Sequence, residues 1–101
     1  MLLVIDAGNT NVVFALYDGE VQKGLWRCKT DTARTADEYL AFLSQHFELK
    51  HVTITDVTDV IVSSVVPDAD FAIDVLSRDG FGCPPCFVGR DTGDLGIPIK
   101  I

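Results

Sequence analysis

The sequence has few basic residues and no long hydrophobic run. Eight Lys and Arg side chains stand against fifteen Asp and Glu, which gives a net charge of −7. Nucleic acids and anionic membranes are bound through clustered Lys and Arg, so this balance argues against both as partners. It does not exclude a nucleotide, because backbone N–H groups and a metal ion can hold a phosphate.

The chain also lacks a segment that could act as a signal peptide or cross a membrane. The first apolar run, residues 2–5, is too short for either and has no charge in front of it. Only three cysteines occur, Cys28, Cys83 and Cys86, and their odd number indicates reduced thiols. These absences predict a cytoplasmic protein, and 48% apolar residues are enough for the core of one domain.

The pattern of apolar residues predicts three strands at the start of the chain. The strands span residues 2–5, 11–18 and 21–30, and the continuous apolar run of the first is typical of a strand buried on both faces. Asp18-Gly19 is a strong hairpin signal between the second and third strands. The three strands are therefore expected to form an antiparallel meander.

Helical spacing begins at residue 35. Thr35 and Glu38 form a capping-box pattern ahead of an amphipathic helix over 35–48. The segment 51–60 carries both strand and loop signals, and a β-branched strand follows over 60–66. A second helix is predicted from Pro67 to Asp79-Gly80, and its predicted apolar face consists of Phe71, Ile73, Val75 and Leu76.

A short strand over 86–89 completes the order β-β-β-α-β-α-β, which predicts an α/β fold. Its sheet is a mixed five-stranded one, in which three antiparallel strands are followed by parallel strands. Two helices leave one face of such a sheet thinly covered, and the segment 95–101 is apolar. We expect a partner chain or further residues of the same protein to cover that face.

The segment DAGNTN, residues 6–11, is the first candidate site. Asp6 ends a buried strand, where a carboxylate can serve Mg²⁺ as an oxygen ligand. Gly8 permits close approach of a ligand, and Asn9, Thr10 and Asn11 supply donors beside exposed N–H groups, as in an anion-binding nest. No GK[ST] sequence follows, so this is not a Walker loop. These residue types also favour a plain turn, and the residues alone leave both interpretations open.

Three other segments are weaker candidates. Cys83-Pro-Pro-Cys86 leads into a strand rather than a helix and has no second cysteine pair, which favours an inert loop over a redox or zinc site.

Ser63-Ser64 precedes Pro67 and could bind a ligand or simply start a helix. Arg27 and Lys29 could face a phosphate or be solvated. Histidines 46 and 51 are typical of a helix end.

Four segments in this order resemble the type III pantothenate kinases: LLVIDAGNTN, WRCKT, TADEY and VIVSSVVP. That family belongs to the superfamily of acetate and sugar kinases, actin and the heat-shock ATPases. The resemblance implies a ribonuclease H-like, actin-type ATPase lobe over residues 1–101. It also implies a second, similar lobe that this chain does not contain.

The resemblance further implies ATP-dependent phosphorylation of pantothenate, the first step of coenzyme A biosynthesis. It implies ATP and Mg²⁺ as ligands, a monovalent cation (K⁺ or NH₄⁺), and a homodimer when the protein is full length. Asp6 would hold Mg²⁺ through water, and the residues around the phosphates would be Ala7, Gly8, Asn9, Thr10, Asn11, Val12 and Val13.

No catalytic residue is assigned, because the family's Gly-x-Asp-Arg segment with the catalytic base is expected beyond Ile101. The isolated chain is therefore expected to be inactive. Two alternatives are a kinase of the same superfamily with another acceptor and a non-enzymatic accessory factor in transcription. The latter would act through protein partners, since the acidic surface argues against DNA.

Overall fold

The computed structural model describes residues 1–89, which form a five-stranded sheet with two α-helices. The sheet order is β3-β2-β1-β4-β5. Neighbours among β1, β2 and β3 are antiparallel, whereas β1–β4 and β4–β5 are parallel, so the predicted α/β class and mixed sheet are confirmed. The elements are β1 (Leu2–Ala7), β2 (Asn11–Asp18), β3 (Val21–Lys29), α1 (Ala36–Leu49), β4 (Asp59–Ser64), α2 (Pro67–Val75) and β5 (Pro85–Phe87).

The hydrophobic core lies between one face of the sheet and the two helices. Leu3, Ile5 and Ala7 alternate along β1 and are fully buried there. The Tyr39 ring of α1 packs edge-on against Phe14 of β2, at 6.0 Å between ring centroids. Burial of one such side chain contributes about 1.5–3 kcal/mol, so this face holds the sheet and helices together.

The opposite face of the sheet is open in the part of the chain that the structure describes. One row of apolar residues crosses all five strands in register on this face: Leu25, Ala15, Val4, Ile61 and Cys86. Leu25 is 50% exposed, and Leu2 and Val4 are only half-buried. The prediction that strand 2–5 is buried on both faces is therefore wrong for the described residues, because none of their helices packs on this side.

The first helix begins as its capping box predicts. The Thr35 hydroxyl accepts a hydrogen bond from the Glu38 amide (3.2 Å), and the Glu38 carboxylate accepts one from the Thr35 amide (2.8 Å). These bonds satisfy two N–H groups that the first turn leaves free. The observed helix agrees with the predicted range 35–48 to within one residue at each end.

The second helix begins at Pro67 as predicted, but its buried face differs from the prediction. Phe71 is 79% exposed, whereas Ala69, Ile73 and Leu76 are buried. Two residues of an α-helix turn through about 200°, so Phe71 lies opposite Ala69 when Ala69 faces the core. The assignment of Phe71 to the apolar face was therefore wrong.

Other boundaries shift by a few residues. The α-helix ends at Val75 and continues as a π-helical turn over Leu76–Gly80. The ambiguous segment 51–60 contains a 3₁₀ turn, Ile54–Asp56, before β4 begins. No helix within residues 1–89 is long and apolar enough to cross a bilayer. The strand predicted over 86–89 is observed as Pro85–Phe87, one residue earlier at its start and two at its end. The apolar segment 95–101 lies outside the described residues.

Candidate functional site

The DAGNTN segment forms a tight connection between β1 and β2. The Gly8 amide donates to the Asn11 carbonyl oxygen at 2.9 Å, which closes the turn. A Cβ atom at Gly8 would lie 3.3 Å from that oxygen, so a side chain would crowd the turn. Asn9 and Thr10 at the tip are exposed, and their side chains have no hydrogen-bond partner within residues 1–89. The tip is therefore free to contact a ligand.

The Asp6 carboxylate is exposed on the open face, at the end of β1 where the sequence predicts it. Its strand neighbours are Val13 on β2 and Ser63 on β4. The side chains of Ala7 and Val12 are buried on the opposite, helix-covered face. Within the predicted site 6–13, these two residues can therefore offer a ligand only their backbone groups.

The Ser63-Ser64 junction lies against the same loop. The Val65 amide donates to the Ala7 carbonyl oxygen at 3.0 Å. The Ser64 hydroxyl accepts from the Val66 amide at 3.1 Å, directly before α2 begins at Pro67. Strand alternation places Ser63 on the other face, beside Asp6. The two serines thus have different surroundings, and Ser63 is the one available to a ligand.

Arg27 and Lys29 are exposed cations on the same open face. Arg27 pairs with Val13 and Lys29 with Asn11, so both lie in rows that contain residues of the DAGNTN edge. Arg27 stands in one row with Asp6, two strand spacings or roughly 10 Å away. The sheet therefore gathers an acid, a serine and two cations from three distant segments at one edge.

Thr30, the last residue of WRCKT, also contacts this loop. Its hydroxyl donates to the Gly8 carbonyl oxygen at 2.7 Å, and its amide donates to that of Thr10 at 2.9 Å. The sequence alone indicates no role for Thr30, since its contact partners lie on another strand connection. Only its place at the end of the predicted third strand could have drawn attention to it.

The other candidate residues lie away from this edge or in the core. The Cys83 thiol is buried, 3.5 Å from the Val57 carbonyl oxygen, and Cys86 lies opposite Ile61 in the apolar row. The His46 ring packs against Phe42, with 4.7 Å between ring centroids. Within residues 1–89, no cluster of three or more His, Cys, Asp or Glu residues could hold a metal ion.

Two groups under the end of β3 have raised pKa values. Burial raises the pKa of the Cys28 thiol, and the Arg34 guanidinium opposes this in part. Burial likewise raises the pKa of the Tyr39 hydroxyl, and the Arg34 guanidinium lies 5.8 Å from the centre of its ring. Strand alternation places Cys28 on the helix-covered face of the sheet, and Tyr39 lies in α1 on that same side. Neither group therefore faces a ligand on the open face.

A groove of about 360 Å³ lies elsewhere, between the start of α1 and α2. Thr35, Asp37, Asp68 and Phe71 are among its lining residues, and none of residues 6–13 borders it. It belongs to the helical side of the molecule, whereas Asp6 lies on the open face. The two surfaces are therefore separate.

Comparison with known proteins agrees with the resemblance. The type III pantothenate kinase family profile matches residues 2–101. Relatives named type III pantothenate kinase from Paramagnetospirillum magneticum and Rhodospirillum centenum are each 46% identical over 101 residues, and one from Phenylobacterium zucineum is 44% identical. Each alignment covers 100% of this chain and 39% of the relative, so the chain spans well under half their length. The chain belongs to the type III pantothenate kinase family.

Proposed function

We propose that the full-length protein transfers the γ-phosphate of ATP to the primary hydroxyl of pantothenate, the first step of coenzyme A biosynthesis. Membership of the family supports this activity. The observation that carries it in this chain is the uncovered turn from Gly8 to Asn11, with the exposed Asp6 carboxylate beside it. Phosphoryl transfer depends mainly on positioning and charge neutralisation, for which such an edge is suited.

In this proposal, residues 7–13 surround the phosphates of ATP. Ala7 and Val12 would contribute through their backbone, because their side chains are buried. Asn9 and Thr10 would add side-chain donors from the exposed tip. Arg27 and Lys29 add positive charge on the same face, which favours an anionic ligand despite the negative net charge.

The donor set at Asp6 fits Mg²⁺. This ion keeps several waters and is bound through one or two carboxylates together with phosphate oxygens, so a single exposed carboxylate is sufficient on the protein side. Bound Mg²⁺ would neutralise phosphate charge. We propose contact through water, with Ser63 as a further oxygen beside Asp6. A requirement for K⁺ or NH₄⁺ is proposed from the family alone.

We further propose that residues 1–101 are the N-terminal lobe of an actin-type ATPase fold. The catalytic base and the second lobe would come from residues beyond Ile101, in agreement with relatives that are much longer. The apolar row on the open face would then be covered in the full-length protein. We also propose that the protein is a cytoplasmic homodimer.

The test is turnover and binding by the full-length protein. We expect phosphorylation of pantothenate in a coupled assay with Mg²⁺-ATP, and binding of Mg²⁺-ATP by titration calorimetry. A panel of other hydroxyl and carboxylate acceptors distinguishes another kinase of the superfamily. Absence of turnover on pantothenate by a folded, full-length protein would refute the proposal. DNA binding that weakens steeply with salt would instead favour a nucleic-acid role.

A further inference from the structure

Thr30 is joined to both sides of the DAGNTN turn. Its hydroxyl donates to the Gly8 carbonyl oxygen at 2.7 Å, across 22 residues of sequence. Its amide donates to the Thr10 carbonyl oxygen at 2.9 Å. One half-buried residue at the end of β3 therefore holds the turn at two points.

The effect of these bonds is to engage the carbonyl groups of the turn. The Ala7 oxygen accepts from the Val65 amide and the Asn11 oxygen from the Gly8 amide. With the two bonds from Thr30, four of the five carbonyl oxygens from Ala7 to Asn11 have a donor, and only the Asn9 oxygen has none within residues 1–89. By contrast, the amides of Asn9 and Thr10 have no acceptor within residues 1–89. Because most carbonyls of the turn are engaged by the protein while the amides of Asn9 and Thr10 are free, the turn suits an anion better than a cation.

Contacts of the neighbouring residues also hold Thr30 in place. The residue before it, Lys29, pairs with Asn11 in the sheet and accepts a hydrogen bond from the Arg34 guanidinium at 3.2 Å through its carbonyl oxygen. That guanidinium lies over the ring of Tyr39, which is fully buried in α1. The end of β3 is thereby tied to the helix layer as well as to the turn.

Of the two hydrogen bonds that Thr30 donates, only the one from its hydroxyl depends on the identity of the side chain. Any residue except proline at position 30 could donate its amide to Thr10, and that bond would close the hairpin. The bond to the Gly8 oxygen instead requires a short side chain with a hydroxyl donor, as in Ser or Thr. Without that donor, the half-buried Gly8 oxygen would lose its hydrogen-bond partner.

We propose that Thr30 is a positioning residue for nucleotide binding, which holds the Gly8 and Thr10 carbonyls so that the free amides of the turn receive the phosphates. This inference rests on the proposed function. Thr30 does not touch the substrate; it acts through the loop. Its contribution is therefore expected in the affinity for ATP and not in that for the acceptor.

The experiment compares Thr30→Val, Thr30→Ser and Thr32→Val in the full-length protein. Valine keeps the shape of threonine and removes the hydroxyl bond, serine keeps that bond, and Thr32 is an exposed threonine two residues away. We expect Thr30→Val to weaken Mg²⁺-ATP binding and raise KM for ATP roughly tenfold, with little change in KM for pantothenate. Thr30→Ser and Thr32→Val should remain close to the unsubstituted protein.

Hydrogen–deuterium exchange of residues 6–13, measured without nucleotide, gives a second readout. Thr30→Val should accelerate exchange in this segment and leave α1 protected. Unchanged ATP affinity and exchange in Thr30→Val would overturn the inference, as would equal losses in the valine and serine variants. If the unsubstituted protein fails to bind Mg²⁺-ATP, the proposed function fails. The exchange comparison then still decides whether Thr30 orders the turn, and unchanged exchange would overturn that too.

Discussion

Asp6 and Ser63 are paired neighbours on the parallel strands β1 and β4, and both face the open side of the sheet. Each stands near the end of its strand: Asp6 is the first residue of DAGNTN, and Ser63 precedes the entry to α2. Ligands of open α/β sheets bind at this carboxyl edge. An acid and a hydroxyl from separate segments thus stand at the edge where a nucleotide and its metal ion are expected.

Replacing Asp6 by Asn should impair activity and leave the fold intact. If the carboxylate holds Mg²⁺, the full-length variant should lose roughly 100-fold or more in kcat/KM with Mg²⁺-ATP. The side chain is exposed, so the free energy of unfolding should change by no more than about 0.5 kcal/mol. Steady-state kinetics over a range of Mg²⁺ concentrations, together with urea unfolding, measures both.

Asp59→Asn is the matched control for that substitution. Asp59 is also exposed and lies on the same face, at the opposite end of the sheet, where it pairs with Leu2. Its replacement should leave kinetics nearly unchanged. If the two substitutions reduced activity equally, the loss would come from surface charge in general and not from the removal of a metal ligand at Asp6.

Replacing Thr35 by Ala should destabilise the fold by about 1 kcal/mol. The change removes the hydroxyl that caps the Glu38 amide and so weakens the first turn of α1. Urea unfolding gives the free energy difference. Thr32→Ala, in the preceding loop, is the control, and the prediction is contradicted if both variants lose the same stability.

The features that were predictable from sequence depend on neighbouring residues. Thr35 and Glu38 are three positions apart, so their pattern specifies the helix start without knowledge of the rest of the fold. The Asp18-Gly19 turn is equally local, and Gly19 has a positive φ of 61°. The order of such elements was then enough to predict the mixed sheet.

The features that were missed depend on contacts between distant segments. The sequence predicts Phe71 on the apolar face because it is hydrophobic, but packing of Ala69, Ile73 and Leu76 in the core turns α2 so that this ring is 79% exposed. The hydrogen bonds from Thr30 to Gly8 and Thr10 require the register of β2 and β3. The pairing of Asp6 with Ser63 requires the strand order. None of these relations has a local signature.

Cys28 should react slowly with iodoacetamide in the native protein. Burial raises the pKa of its thiol, so less of the reactive thiolate is present near neutral pH, and alkylation should accelerate only at more alkaline pH than for an unfolded chain. The unfolded state ionises first as pH rises. The contribution of this group to stability is therefore fully present below the ordinary thiol pKa and is lost as the pH rises from that value through the raised pKa of the folded state.

Peptide mapping by mass spectrometry after timed alkylation follows Cys28 separately from the other two cysteines. The same chain in urea provides the reference rate at each pH. Equal rates for native and unfolded protein at mildly alkaline pH would contradict the expected protection of this thiol.

Gly24 should not tolerate alanine, because Trp26 occupies the space above it. A Cβ atom at position 24 would overlap the Cη2 and Cζ2 atoms of the indole. The indole cannot easily move aside, since it packs against Phe47 and His46 with centroid distances of 5.4 and 5.8 Å. We expect Gly24→Ala to cost about 1–3 kcal/mol in urea unfolding, as is usual for overpacking.

A double-mutant cycle with Trp26→Leu isolates the cause of that cost. Leucine removes the ring atoms above position 24, so alanine there should cost much less in the Trp26→Leu background than in the unsubstituted protein. The difference between the two costs measures the clash between the residues. If Gly24→Ala costs the same in both backgrounds, the indole is not what requires glycine at this position, and the prediction is contradicted.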